Sequence, residues 1–287
     1  MHSSGDEGRL RRGFFLHMPI ILSFLLAAFS DPVAAGNHIE VFKHGRIDWT
    51  NGFIEAVGVG NPPPNPLSIA HARAVAQRNA EVAARANLIE LVKSIRLDSK
   101  SFVANHIEEG RIRIRDLEAV LREARVVDLI YGQGEAVKVA VSISMLGAVS
   151  ELILPKGILI ISTVKQPKGG DQKDDPFSGL LVDCTGVYLK PCMVPVIVDE
   201  GGEAVYGPAF TSRDYAVQRG MASYMGDLAM AKSHSRLGGR PLIVKGIRSM
   251  EGDPCDIMIS HADAAKIRGA PSNLNFLHQC RVMLVVD

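Results

Sequence analysis

The sequence predicts an α+β protein, a long helix packed on an antiparallel sheet followed by a second α+β domain, and three observations carry that prediction. A segment from Asn65 to about Leu97 places apolar side chains at Val75, Val82, Ala86, Ile89 and Val92, a helical stripe. Val137, Val139, Val141, Ile143 and Met145 alternate with Ala136, Lys138, Ala140, Ser142 and Ser144, the period of a strand with one buried face. Beyond residue 155 short strand-like and helix-like runs interleave. The length, 287 residues, suits two domains. Their expected bounds are 36–154 and 155–287, after an N-terminal segment 1–35.

That first segment reads as an export signal. Arg9, Arg11 and Arg12 precede a run from Phe14 to Phe29 that is apolar except at His17, Pro19 and Ser23, and Val33-Ala34-Ala35 offers small residues for cleavage near Ala35. A membrane span needs about 20 apolar residues, so a retained anchor is the alternative. Arg11-Arg12-Gly13-Phe14-Phe15 resembles a twin-arginine motif and offers a second export route. No cysteine lies just after the apolar run, so a lipoprotein-type lipid has no acceptor there and membrane association is expected through partners. The 32 Lys and Arg balance 31 Asp and Glu, a net charge of +1 that removes the whole-protein electrostatic case for nucleic-acid binding.

Residues 39–60 read as strands, with Asn51-Gly52 supplying the positive φ of a tight hairpin. The run Asn61-Pro62-Pro63-Pro64-Asn65-Pro66 cannot continue a sheet, because proline has no N–H for the ladder. Asn65 is then the expected cap of the long helix, with Pro66 in its first turn. A short helix is expected at 116–125 and a hairpin at 126–146, turning near Gly132-Gln133-Gly134. Those glycines precede a strand and not a helix, which excludes a phosphate loop. Ile158 to Val164 reads as a strand and Gln166 to Asp175 as a linker. In the second domain, strands are expected near 179–185, 193–198, 203–206, 242–249, 256–259 and 280–286, with a hairpin at Gly201-Gly202 and helices near 211–217, 221–233 and 261–268.

Cys184, Cys192, Cys255 and Cys280 all lie in the second half, and an even count in an oxidising compartment points to disulfides. Of three possible pairings, Cys184–Cys192 and Cys255–Cys280 close the shortest loops. No Cys-x-x-Cys or His-x-x-x-His spacing supports a metal, and no cofactor is expected. The raw material for catalysis is Asp183, Asp199, His234, His261 and Asp263, which no motif orders. Asp263 is expected to sit at the start of a helix capped by Ser260, and His71 and His106 to be surface or satisfied core histidines. No Gly-x-Ser-x-Gly elbow is present. Lys190, Arg213, Arg219, Arg236, Arg240 and Lys245 form a basic set that could meet an anion or simply face solvent.

From Ile47 to about Met145 the order of features resembles the LPP-type outer-membrane lipoprotein and flagellar assembly family, which includes the FlgP- and FlgT-like periplasmic ring proteins. The residues that carry the resemblance are Ile47-Asp48-Trp49, Gly58-Val59-Gly60-Asn61-Pro62, the helix Ala72 to Leu88 and Val137-Lys138-Val139-Ala140-Val141. It implies an SHS2-like module used for assembly and not for catalysis. The expectation is an exported, non-enzymatic cell-envelope protein, periplasmic or outer-membrane-associated. Its expected partners are envelope or flagellar-assembly proteins, such as those of a basal-body ring, or further copies of itself. The alternative is a periplasmic binding module for peptidoglycan, a glycan or a small anion.

Overall fold

A computed structural model describes residues 36–158, 177–250, 253–269 and 273–287. The export signal, all but the first residue of the strand expected at Ile158–Val164, and the linker at Gln166–Asp175 lie outside the described residues. The architecture is two α+β domains, a long helix on an antiparallel sheet and then a mixed sheet with helices.

The first sheet starts with β1 (Ile39–Phe42), β2 (Gly45–Asp48) and β3 (Phe53–Gly60). Asp48 shapes the turn into β3 by accepting the Thr50 and Asn51 amides, and Gly52 takes the expected positive φ of 72°. The helix α1 (Ile69–Lys93) follows, then the shorter α2 (Val103–Glu108) and α3 (Ile114–Leu121). β4 (Arg125–Tyr131) and β5 (Val137–Ser144) form the later hairpin, and α4 (Ala148–Ile153) closes the domain. The strand order is β1-β2-β3-β5-β4, antiparallel throughout, which leaves β1 and β4 at the edges.

Two expectations about the long helix are corrected. Its cap is Ser68, whose hydroxyl accepts the His71 amide at 3.1 Å, and not Asn65. Its buried face is Ala72, Ala76, Ala80, Ala84, Leu88, Leu91 and Val92; of the predicted stripe only Val92 is buried. Val75 and Ile89 are half-buried, while Val82 (65% exposed) and Ala86 face outward. The reason is steric. Gly58 and Gly60 of β3 present bare backbone to α1, and a Cβ at either would run into the helix backbone at Ala76, Ala80 and Ala84. A four-residue alanine ladder settles onto two glycines more closely than valines could, and that close packing gains dispersion contact over the whole helix. Val137, Val139 and Val141 of β5 lie buried as the alternation predicts.

The second sheet holds β6 (Gly179–Asp183), β7 (Ile197–Asp199), β8 (Ala204–Tyr206), β9 (Ser223–Met225), β10 (Pro241–Met250), β11 (Asp253–Ile259) and β12 (Val282–Val285). Its order is β8-β7-β11-β10-β6-β12-β9. β10, β6, β12 and β9 are mutually parallel, and all of β6 but Asp183 and all of β12 are buried, the near-continuous apolar texture of parallel strands covered on both faces. The helices are α5 (Arg213–Arg219), α6 (Leu228–Lys232), α7 (His261–Arg268) and α8 (Asn273–His278). The expected helix at 221–233 is instead β9 followed by α6. Ser223, Tyr224 and Met225 are all buried, too short and apolar a run to separate from a helix by periodicity.

The two sheets share one hydrophobic core, and the described residues fall in one compact unit. Their seam is hydrogen-bonded. The Thr50 hydroxyl donates to Tyr224 O at 2.6 Å and accepts the His38 amide at 2.8 Å, and Ser223 Oγ donates to Thr50 O at 2.8 Å. Trp49 meets Tyr224 edge to face, ring centroids 5.7 Å apart. The amides of Met193 and Val194 donate to the carbonyls of Arg96 and Leu97.

Candidate functional site

The seam holds a small cavity of about 80 Å³. The turn before β3 contributes Trp49, Asn51 and Gly52, and the second domain contributes Met193, Ser223 and two cations, Arg219 and Arg236. Arg236 reaches it from the short turn Ser235–Leu237. Its guanidinium donates Nε–H to Val282 O at 2.9 Å and one N–H from each terminal nitrogen to Arg219 O and Gly220 O, both at 2.6 Å. Those two carbonyls end α5, so the arginine caps the negative pole of that helix. Burial pulls its pKa below the usual arginine value, and Arg219 reinforces the shift. Arg219 is exposed and lies over the Tyr215 ring, 5.3 Å from its centroid. Among the described lining residues there is no aspartate or glutamate. A shape of this kind can hold a small oxyanion.

Of the basic set read from the sequence, only Arg219 and Arg236 converge. Arg213 is held by Pro155 O and by the carbonyl and carboxylate of Glu151, Lys190 lies over Tyr188, and Arg240 over Phe177. Lys245 stands on β10 near Asp183.

The candidate catalytic residues come together only in part. Asp199 ends β7, 3% exposed, and one of its oxygens accepts the Gly201 and Glu203 amides at 2.9 Å. Its other oxygen takes Arg268 at 2.8 Å, with His261 Nδ1 at 3.7 Å. Arg268 and the two amides hold the Asp199 carboxyl below the usual carboxylate range. This arrangement ties α7 to the β7–β8 hairpin, because Asp199 accepts two hairpin amides on one oxygen and Arg268 of α7 on the other. Ser260 caps α7 by accepting the Asp263 amide at 3.0 Å, and Asp263 pairs with Lys266, as the sequence suggests. Asp183 is engaged with Thr185, and His234 accepts the Arg236 amide through Nδ1. Burial lowers the His234 pKa. His71 is exposed, and His106 is buried beside Ser101 Oγ.

The disulfides expected at Cys184–Cys192 and Cys255–Cys280 are corrected: all four cysteines are buried free thiols. Cys184 follows β6 at its C-terminal end, whereas Cys192 sits in the seam, bonded through its backbone to the Tyr224 hydroxyl. Its sulfur neighbour is Cys255, from β11. Cys280 precedes β12 beside Tyr206 and Arg236. Short loops in sequence are therefore not short distances in space. Burial pushes the thiols of Cys184 and Cys280 up to about 12 and raises that of Cys192.

The second feature with functional content is β4. It is a sheet edge of seven residues among the described strands, and Val126 (44%), Val127 (55%) and Tyr131 (52%) are exposed on it. Its length, without proline, contrasts with the opposite edge β1, four residues long. Among the described residues no helix is long and apolar enough to cross a membrane.

The fold thus defines a two-sheet α+β protein with one welded seam. Residues 179–287, from the first residue of β6 to the C-terminus, match the family model of the second domain of Treponema pallidum Tp0624. No curated protein matches the chain. The matched stretch lies wholly outside Ile47–Met145, and the match lends no support to an LPP-type or flagellar-assembly family.

Proposed function

We propose that this chain is an exported, non-enzymatic assembly protein of the cell envelope, periplasmic or outer-membrane-associated, which joins copies of itself through the β4 edge. The exposed apolar edge carries this reading. The outer edge of this seven-residue strand, whose inner side pairs with β5 with a bulge between Val126 and Asp128, offers N–H and C=O groups to another strand, and Val126 and Val127 add apolar area that pairing would cover. The chain devotes its candidate acid and base residues to structure: Asp199 ties α7 to a hairpin and Asp263 belongs to a helix cap. The flagellar-assembly resemblance and the leader sequence support a place in an envelope assembly such as a basal-body ring. A symmetric dimer would pair β4 with its own copy, and a ring would pair it with a different surface.

Light scattering of the purified protein tests the proposal. A mass above one chain that rises with concentration, and reverts to one chain in Val127→Lys, supports it. A single-chain mass at every concentration, or an assembly that Val127→Lys leaves intact, would overturn it.

A further inference from the structure

We infer that the seam cavity is a binding site for a small oxyanion, a carboxylate or phosphate held between Arg236 and Arg219. The first argument is charge. Arg219 and Arg236 are both among the residues that line the space, and no aspartate or glutamate is among the described ones. Arg236 is half-buried, and its partners are three main-chain carbonyls with no carboxylate among them. Those bonds use one N–H on each terminal nitrogen, leaving a second on each for which no acceptor is found among the described residues. The second argument is geometry. A guanidinium presents its donors as a planar fork that fits two oxygens of one anion, and Arg219, exposed and close enough to act on the Arg236 charge, supplies the second charge. The third is size. A cavity of about 80 Å³ admits a group of acetate or phosphate dimensions. Trp49, Leu146 and Met193 give it apolar walls, suited to the stem of an organic carboxylate. Both sheets contribute, so an occupant would brace the seam. The inference is independent of the β4 edge and of the assembly reading.

Thermal unfolding of the purified protein, titrated with acetate and separately with phosphate at constant ionic strength against chloride, tests this. A saturable rise in Tm of about 5 °C is expected, because a ligand specific to the folded state stabilises it. In Arg219→Gln, whose side chain is exposed, Tm without anion should stay near wild type while the rise is lost. Arg219→Lys should restore part of it. A response to acetate alone identifies an organic carboxylate as the ligand class, and a response to both identifies a general oxyanion site. No saturable rise with either anion, or the same rise with chloride or in Arg219→Gln, would overturn the inference.

Discussion

Replacing Gly58 by alanine tests the packing of α1 on the first sheet. The added Cβ would lie 2.8 Å from the Ala83 carbonyl carbon and nearer still to Ala80 O and Ala84 N. Ordinary contact begins near 3.4 Å, so even the mildest of the three clashes is about 0.6 Å too close. All three atoms are helix backbone, which no rotamer change can move. The 25-residue helix must therefore lift from β3, and a gap of 0.5–1 Å forfeits roughly a quarter to a half of each dispersion contact on that face. Overpacking of this kind costs typically 1–3 kcal/mol, and with rigid backbone on the far side the expected loss is at the upper end, about 3 kcal/mol. Urea unfolding measures it, with Gly157→Ala as the control, since a Cβ there meets nothing within 4 Å. Gly157→Ala should shift stability by less than about 0.5 kcal/mol. Equal midpoints for the two variants would refute the alanine–glycine packing.

Three further outcomes follow from the structure. Thr50→Val strips the seam of a hydroxyl that serves both Tyr224 O and the His38 amide, and should cost about 1–3 kcal/mol in the same unfolding assay; a neutral change would show that the seam does not depend on it. Thiol titration without reductant should find all four cysteines reactive in denaturant and almost none in the native protein at pH 8, because burial lifts Cys184 and Cys280 to about 12; no thiols in denaturant would restore the disulfide expectation. Asp199 has a folded pKa below its ordinary value near ~3.9, so its stabilisation is complete above that pH and drains away as pH falls through the lower folded value. Asp199→Asn should therefore be less stable than wild type at pH 7, with the gap closing as pH falls below the ordinary carboxylate range; a gap that widens in acid would contradict the assigned cause.

The sequence makes the first domain legible where a local rule applies. Asn51-Gly52 turns where its positive φ predicts, and the β5 alternation places Val137, Val139 and Val141 inward. The buried face of α1 departs from the large-residue stripe for a physical reason. Large apolar residues signal burial in proportion to their area, but here the deciding partners are two glycines sixteen or more residues upstream, which favour alanines over Val75 and Val82. The second domain shows its strands but not their parallel pairing, which is set by crossovers and not by local pattern. The basic set was visible, yet only tertiary structure separates Arg219 and Arg236 from Arg213, which Glu151 and Pro155 occupy. Cysteine spacing does not find the neighbours because Cys192 meets Cys255 of β11, while Cys184 lies at the end of β6.

Hydrogen exchange of the β4 amides as a function of protein concentration tests the assembly account most directly. Slowing of exchange across Arg125–Tyr131 as concentration rises, with Ile39–Phe42 at the opposite edge unchanged, is the predicted result. An assembled protein whose β4 amides exchange as freely as those of the dilute chain would contradict it.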